Sequence, residues 1–207
     1  MKLYEFPPTR SIRVRWTLQE MQVPFESEQV RLVAGEHQTP EFLKLNPAGK
    51  IPVLVDGDLV LTESVAIVLY LAEKFPEKGF LPRDLSERAE AYRWLMFAAT
   101  ELEQPLWRIA RNRRIYPEEQ RVPADIPNAT REARVAAAIV DAHLQGRTFM
   151  VGECVSVVDF VMAYTLDWAS MVGCLEDCAN VEAYLQRMYA RPHAALRIAE
   201  AVKQTGI

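Results

Sequence analysis

Apolar and polar residues alternate with two different periods over the first part of the chain. Period-two alternation, typical of a half-buried strand, occurs in three segments: 1–6, 24–32 and 51–63. Apolar residues at helical spacing occur between and after them, at 11–21, 36–47 and 63–75. The last strand segment contains the turn pair Asp56-Gly57, so it predicts a hairpin of two strands. This order predicts a mixed sheet with helices packed on its faces.

The pattern changes near Leu85, because strand alternation disappears and long helical patterns follow one another. The proline-containing stretch 77–85 is the natural linker between the two patterns. A second proline-rich stretch, 117–130, is expected to be a loop between two helices. The chain is therefore expected to form an α/β domain at 1–78, followed by an all-α domain at 85–207.

Composition and charge exclude some classes of function. The chain has 207 residues, of which 50% are hydrophobic and 25% charged, as in an ordinary globular protein. Its net charge of −4 argues against nucleic acid as a partner, since phosphate binding requires an excess of Lys and Arg. No run approaches the roughly 18 apolar residues of a membrane span, and the N-terminus lacks a secretion-signal pattern. We therefore expect a cytoplasmic protein that does not bind membranes.

The cysteines and histidines do not form a pattern typical of a disulfide framework or a metal site. Three cysteines, at 154, 174 and 178, are expected to be unpaired thiols. The last two are spaced to share a helix face, but a metal site usually needs more ligands than this. The histidines are scattered at 37, 143 and 193. We expect no bound metal.

The stretch PPTRS lies where the first strand pattern gives way to the first helical pattern. Thr9, Arg10 and Ser11 therefore occupy a strand-to-helix turn. Such a turn directs side-chain hydroxyls and main-chain N–H groups toward one point. The positive end of the helix dipole favours an anion there.

The most specific motif is LNPAGKIPVL at 45–54, followed eleven residues after Pro52 by ESVAI at 63–67. The residue chemistry alone allows Pro52 to be either an ordinary trans edge residue or a cis proline. The two stretches together resemble the two-part glutathione-site signature of the cytosolic glutathione transferases. Further matches are KLYEFPPTRSIRVRW, GEHQTPEFL and GECVSVVDFVMAY, so the resemblance covers nearly the whole chain.

This resemblance implies a thioredoxin-like N-terminal domain, an all-helical C-terminal domain and a binding mode for the tripeptide. In the family, the proline that matches Pro52 is cis, and it turns the main chain of Ile51 outward to pair with the ligand's cysteinyl backbone. Glu63 would meet the γ-glutamyl amino group, and Ser64 would receive its carboxylate at a helix N-terminus. The alternative is that Glu63 and Ser64 only cap the helix.

The resemblance also implies contacts for the glycyl end of glutathione. Lys50 is an electrostatic partner for the glycyl carboxylate, and His37 matches a position that often contacts the same end in related classes. A histidine in a loop is more often simply exposed to solvent. Neighbouring Gln38 is a weaker candidate than His37.

In the family, the residue after the first strand hydrogen-bonds the glutathione sulfur and favours the thiolate. Here the hydroxyl candidates are Thr9, ranked first, and Ser11. The sequence departs from common patterns, since Tyr4 lies inside the strand and Arg10 stands where one bacterial class has its cysteine. A mixed disulfide at this turn is therefore excluded. The alternative role of Thr9 is to cap the helix.

In the second half, Ser156-Val157-Val158-Asp159 precedes an apolar run and is a capping-box variant with Asp in place of Glu or Gln. It matches the buried capping motif of the family's C-terminal domain. Ser156 and Asp159, like Pro52, are therefore assigned structural roles. We expect them to act in folding and not in catalysis.

The second substrate would be held by aromatic and basic side chains of the helical domain. Candidates are Trp107, Arg108, Arg111, Arg114, Tyr116 and Trp168. Most of these are equally compatible with packing inside a helical bundle or with a solvated helix face. The residues alone leave these alternatives open.

The expected function is that of a glutathione transferase, in which the bound thiolate attacks a small carbon electrophile in a cleft between the domains. Two alternatives stay open: glutathione-dependent disulfide reduction, and a non-catalytic binding or regulatory protein of the same fold. Glutathione is then a co-substrate, and no metal or redox cofactor is implied. The family resemblance also implies a two-fold homodimer.

Overall fold

A computed structural model describes residues 1–205. The chain divides into two compact units: Met1–Leu81 together with the segment that begins at Tyr189, and Pro82–Met188. The predicted all-α domain at 85–207 included that last segment. Of the residues of this segment that the structure describes, only Tyr189 and Ile198–Thr205 are helical, and the segment joins the first unit, because Tyr189 contacts Trp16 and Arg191 forms an ion pair with Glu20.

The sheet of the first unit has four strands in the order β2-β1-β3-β4. Their bounds are Lys2–Glu5 (β1), Glu26–Gln29 (β2), Val53–Asp56 (β3) and Leu59–Thr62 (β4). β1 pairs in parallel with β2 and antiparallel with β3, and β3 and β4 form the predicted hairpin. The turn comprises Gly57 and Asp58, since Asp56 still pairs with Leu59. The predicted mixed sheet is confirmed.

Three α-helices follow from the helical patterns of the first part of the chain. They are Ser11–Met21 (α1), Pro40–Leu45 (α2) and Ser64–Lys74 (α3), with single 3₁₀ turns at Leu32–Ala34, Glu36–Gln38 and Pro76–Lys78. α1 packs against α3 and the sheet, and buries Val14, Trp16 and Leu18 completely. α2 begins at a proline after Thr39, whose side chain accepts a hydrogen bond from the Phe42 N–H.

The second unit is helical, and no strand occurs between residues 82 and 188. Its helices are Leu85–Phe97 (α4), Glu103–Ala110 (α5), Ile126–Leu144 (α6), Val157–Met171 (α7) and Ala179–Tyr189 (α8). The final helix, Ile198–Thr205 (α9), belongs to the first unit. π-helical turns at Ala98–Leu102 and Arg111–Ile115 flank α5. α7 is the central helix, because every residue from Val157 to Ala169 is buried.

Two local predictions for this half were wrong. The loop expected at 117–130 ends at Asp125, because Ile126 begins α6 and Pro127 lies in its first turn, where a missing N–H is tolerated. Cys174 and Cys178 do not share a helix face, since both lie in the connection between α7 and α8. Both thiols are buried and unpaired, and burial raises the pKa of each.

The capping box at the start of α7 is present as expected. The Asp159 carboxylate is completely buried and accepts hydrogen bonds from the N–H groups of Met150 and Ser156, each at 2.8 Å, and from the Tyr184 hydroxyl at 3.0 Å. Burial raises the pKa of Asp159, while these hydrogen bonds oppose that rise. The carboxylate thus ties α7 to α8 and to the loop before α7.

Over the described residues, no helix is long and apolar enough to cross a membrane. The same part of the chain contains no group of three or more His, Cys, Asp or Glu side chains that would hold a metal ion.

Candidate functional site

The strand register brings three of the predicted segments to one edge of the sheet. Val53, at the start of β3, pairs with Tyr4 near the end of β1 and with Thr62 at the end of β4. Because β3 runs antiparallel to both neighbours, the turn after β1, the loop before β3 and the start of α3 all leave the sheet at this edge. The turn at residues 9–11, the loop at 46–52 (the Pro52 loop) and the Glu63-Ser64 pair are therefore neighbours.

The turn after β1 holds two linked hydroxyls. The oxygens of Thr9 and Ser11 lie 2.7 Å apart, and Thr9 Oγ1 is 2.6 Å from the carbonyl oxygen of Phe6. Ser11 Oγ is completely buried and accepts a hydrogen bond from the Phe6 N–H at 3.2 Å. Thr9 is half-buried. Arg10 occupies the N-cap position of α1 without a side-chain capping bond, and the Ser11 N–H donates to Thr9 Oγ1 at 3.4 Å, so the Thr9 hydroxyl also serves the start of the helix.

The loop before β3 is held by Asn46. Its amide nitrogen donates to the carbonyl of Lys50 at 2.6 Å, and its amide oxygen accepts from the Ala48 N–H at 3.0 Å. The bond between Ile51 and Pro52 is cis, as is Pro7-Pro8. The Ile51 side chain packs on a small cluster that contains Val30, Phe42 and Val53.

The main chain of Ile51 remains available to a ligand. In the part of the chain that the structure describes, neither its N–H nor its C=O takes part in a hydrogen bond. An extended peptide placed there would gain main-chain hydrogen bonds of the kind that an added strand makes.

Gly49 brings the segment containing His37 and Gln38 against this loop. A Cβ at Gly49 would lie 2.5 Å from the side-chain nitrogen of Gln38 and 3.2 Å from the carbonyl oxygen of His37. Lys50, the next residue, is exposed. His37 is half-buried, and its Nδ1 is buried with no hydrogen-bond partner among residues 1–205. Polar groups from two loops therefore lie together on one side of the Pro52 loop.

Glu63 and Ser64 lie at the N-terminus of α3. Glu63 is exposed and adopts φ 64° and ψ 110°, a sparsely populated conformation that costs about 1–3 kcal/mol. Its side chain makes no capping bond, so the interpretation that it only caps the helix is not supported. Ser64 is buried, and its hydroxyl oxygen accepts a hydrogen bond from Nη1 of Arg13 at 3.1 Å.

The sequence reasoning missed two residues of this site. Arg13 is only 1% exposed although it is charged, and Asn46, within the motif at 45–54, was not predicted to hold the loop. A partial signal for Arg13 was present, because Arg13 and Thr17 lie one turn apart among the apolar residues Ile12, Val14, Trp16 and Leu18. For Asn46 the signal was the Asn-Pro pair, since asparagine side chains commonly close turns.

The second unit brings together some of the residues predicted to bind the second substrate. The Arg111 guanidinium lies 5.9 Å from the ring centre of Trp107 and 5.4 Å from that of Tyr116, and donates to the Tyr116 hydroxyl at 3.0 Å. The rings of Trp107 and Trp168 make an edge contact at 6.4 Å.

The other two predicted arginines do not join this cluster in the same way. Arg108 is bound by Asp125 and Glu132, which indicates a structural role in joining α5 to α6. Arg114 is exposed.

Together, the groups at the sheet edge offer an open main-chain edge, hydroxyls and a helix N-terminus. This combination is suited to binding a short anionic peptide in an extended form. Two family models match the chain. Residues 1–73 match the model described as glutathione S-transferase, N-terminal domain, and residues 102–192 match glutathione S-transferase, C-terminal domain.

Individual relatives carry the same name. The chain is 48% identical over 111 residues to glutathione S-transferase 1 of Dianthus caryophyllus, an alignment that covers 53% of this chain and 50% of the relative. It is 32% identical over 192 residues to glutathione S-transferase GST-4.5 of Xanthomonas campestris, covering 92% of this chain and 93% of the relative.

A solved structure supports both halves of the fold. A glutathione transferase of Burkholderia graminis, solved with two glutathione molecules bound per subunit, superposes with a TM-score of 0.84. The two sequences are 26% identical, and the match covers 98% of this chain and 87% of that one. With both family models matched and a relative aligned over nearly its full length, this chain belongs to the glutathione S-transferase family and is a glutathione transferase.

Proposed function

We propose that glutathione lies extended along the loop before β3 and that the hydroxyl of Thr9 activates its thiol for attack on a small electrophile. The observation that carries this proposal is the register Tyr4–Val53–Thr62, which gathers the required groups at one sheet edge. Adjacent strands are about 4.8 Å apart, so the edge from β1 to β4 spans about 10 Å. An extended tripeptide has a similar length.

The ends of the tripeptide are then assigned by charge. The γ-glutamyl carboxylate would accept hydrogen bonds from Ser64 at the positive end of α3, and exposed Glu63 would meet the ligand's amino group. At the other end, Lys50 would attract the glycyl carboxylate. The unpartnered Nδ1 of His37 supports a contact there as well. The cysteinyl backbone would pair with Ile51.

The chemical step is attack of the glutathione thiolate on carbon. A hydrogen bond from Thr9 to the sulfur favours the thiolate, and each unit by which the thiol pKa falls corresponds to about 1.4 kcal/mol. The sulfur–carbon bond forms as the leaving group departs with its electron pair, or as an epoxide ring opens. Small reactive compounds of this kind fit a role in detoxification.

The electrophile is proposed to carry an electron-poor aromatic ring or an anionic group. The ring of Trp107 beside the Arg111 guanidinium supports this choice, since it combines an aromatic surface with a positive charge, whereas Trp168 is buried behind it in the core. Arg108 is left out because its charge is already bound by two carboxylates.

A second candidate function is the reduction of small disulfides by two glutathione molecules. This candidate is supported by the Burkholderia graminis transferase, whose structure has two glutathione molecules bound per subunit. A first thiolate would attack the disulfide and release one thiol, and a second would release the other thiol and leave glutathione disulfide. Because the turn at 9–11 contains no cysteine, both attacking thiols would belong to glutathione.

We also propose that the protein is a two-fold homodimer in the cytoplasm. A groove of about 370 Å³ in the second unit, between the α4–α5 segment and α6, is lined by apolar Val135 and Ile139 and by charges of both signs, including Glu101 and Arg131. Val135 is 58% exposed and Ile139 48% exposed, which fits a face that a second copy would cover. The free thiols suit a reducing compartment.

The deciding experiment measures glutathione affinity and then compares turnover of an aryl halide, an epoxide and a small disulfide. The aryl halide or the epoxide should react fastest, and Thr9→Ala should slow that reaction. A preference for the disulfide would favour the second candidate. Absence of glutathione binding would rule out both functions. Light scattering of the wild type and of Ile139→Glu tests the dimer, since the variant should be monomeric.

A further inference from the structure

We infer that Arg13 is a positioning residue for glutathione, and that it acts through Ser64 to select ligands carrying the γ-glutamyl carboxylate. The inference rests on the proposed function, because it concerns the same site. Its basis is the hydrogen bond from Nη1 of Arg13 to the hydroxyl oxygen of Ser64, 3.1 Å long and buried.

The hydrogen bond restricts the directions that the Ser64 hydroxyl proton can take. A serine hydroxyl has one proton to donate and two lone pairs that accept. Because Arg13 has only donors, it occupies a lone pair of Ser64 and leaves the proton directed elsewhere. The Ser64 N–H, at the first turn of α3, has no partner within the helix. Hydroxyl and N–H together offer a carboxylate two donors.

Arg13 is too deeply buried to contact the ligand directly. Arg13 is 1% exposed, so its guanidinium is buried, and it donates to Ser64, which lies at the N-terminus of α3. An arginine guanidinium has donors only, so it cannot accept a hydrogen bond from Ser64.

The test compares glutathione with γ-aminobutyryl-cysteinylglycine, which differs from it only in lacking the α-carboxylate of the first residue. Dissociation constants are measured by calorimetry for wild type, Arg13→Met, Ser64→Ala and the double variant. Arg13→Met is expected to weaken glutathione binding at least tenfold, as loss of a charge-assisted hydrogen-bond network does. It should change binding of the analogue less than twofold.

The double variant tests whether Arg13 acts through Ser64. If it does, Arg13→Met has little further effect in the Ser64→Ala background. A residue that only holds α1 against α3 would weaken both ligands equally and add its effect to that of Ser64→Ala. Either of those results overturns the inference. Failure of the wild type to bind glutathione at all would instead overturn the proposed function.

Conservative variants keep the test decisive if Arg13→Met does not fold. Arg13→Lys retains the charge and should weaken glutathione binding several-fold, and not at all in the Ser64→Ala background. The matched control is Arg15→Lys on the same helix, because Arg15 binds Glu5 and Ser27 and not Ser64. Arg15→Lys should leave unchanged the ratio of the dissociation constants for glutathione and for γ-aminobutyryl-cysteinylglycine. If Arg13→Lys and Arg15→Lys change this ratio equally, the inference is contradicted.

Discussion

The hydroxyl oxygens of Thr9 and Ser11 lie 2.7 Å apart, and both hydroxyls contact the main chain of Phe6. Two hydroxyl protons are present, one of which is needed for the bond between the hydroxyls and the other for the Phe6 carbonyl. A thiolate bound beside this turn would therefore attract the proton that Thr9 shares with Phe6. Ser11 is too deeply buried to contact a ligand directly, so it holds Thr9 in place.

Thr9→Ala is expected to raise the pKa of bound glutathione thiol by about one unit, because the thiolate loses one hydrogen bond. At a pH below that pKa, kcat/KM should then fall about tenfold. Thr9→Ser should retain most of the activity. The measurement is the pH dependence of kcat/KM, and an unchanged profile in Thr9→Ala would show that other donors activate the sulfur.

Ser11→Ala is expected to act mainly on stability. It leaves the Phe6 N–H without its buried acceptor, which costs about 1–3 kcal/mol. Thr9→Ala should cost less, because Thr9 is half-buried and water replaces part of its hydrogen bonding. Urea unfolding of the two variants gives the comparison, and a larger loss for Thr9→Ala would contradict the assigned roles.

Gly49→Ala is expected to destabilise the protein more than Gly57→Ala does. Both glycines have φ 60°, so each substitution carries the same conformational cost of about 1 kcal/mol. At Gly57 nothing lies within 4 Å of the new Cβ, whereas at Gly49 the Cβ would meet Gln38 and the carbonyl of His37. Gly49→Ala should therefore also weaken glutathione binding, by displacing His37. Equal unfolding free energies would show that the contact with Gln38 relaxes freely.

The sheet and most helices could be predicted because their patterns are local and periodic. The bounds of α1 were predicted correctly, since a strand-to-helix turn and an apolar spacing both mark them. The start of α6 was predicted wrongly. Pro127 follows a run of loop residues and was therefore assigned to the loop, but a proline is tolerated in the first turn of a helix.

The sequence predicted which segments form the candidate site, but it did not predict the hydrogen bonds between their side chains. The residues of the Pro52 loop and of the α3 start were named from their motif. The bond between Arg13 and Ser64 joins residues 51 positions apart, and no spacing within either segment indicates it. Buried charged side chains of this kind depend on the packing of two helices, which only the folded chain shows.

Asp159→Ala is expected to lower the free energy of unfolding by about 3 kcal/mol or more, since it orphans buried donors on Met150, Ser156 and Tyr184. Asp84→Ala is the matched control. Asp84 also caps a helix, accepting from Ser86 and Glu87, but these hydrogen bonds are exposed, so about 1 kcal/mol is expected. Wild-type thermal stability in Asp159→Ala would contradict the structural role.

His143 is expected to make stability depend on pH below neutrality. Its ring lies 4.3 Å from the ring centre of Trp94, and Nε2 lies 2.8 Å from the carbonyl oxygen of Met150. Burial lowers the pKa of His143, with Arg147 and Arg93 adding to the effect and the Met150 carbonyl and Glu90 opposing it.

Because the folded pKa lies below the unfolded value of about 6.5, the unfolded chain binds the proton more readily. The contribution of His143 is therefore complete above pH 6.5 and is lost as the pH falls through the folded pKa. His143→Phe keeps a ring beside Trp94 but cannot titrate, so its deficit in unfolding free energy should be largest at pH 7.5 and shrink toward pH 5. Urea unfolding at these two values measures it, and a deficit that stays constant would show that neutral His143 is not preferred in the folded chain.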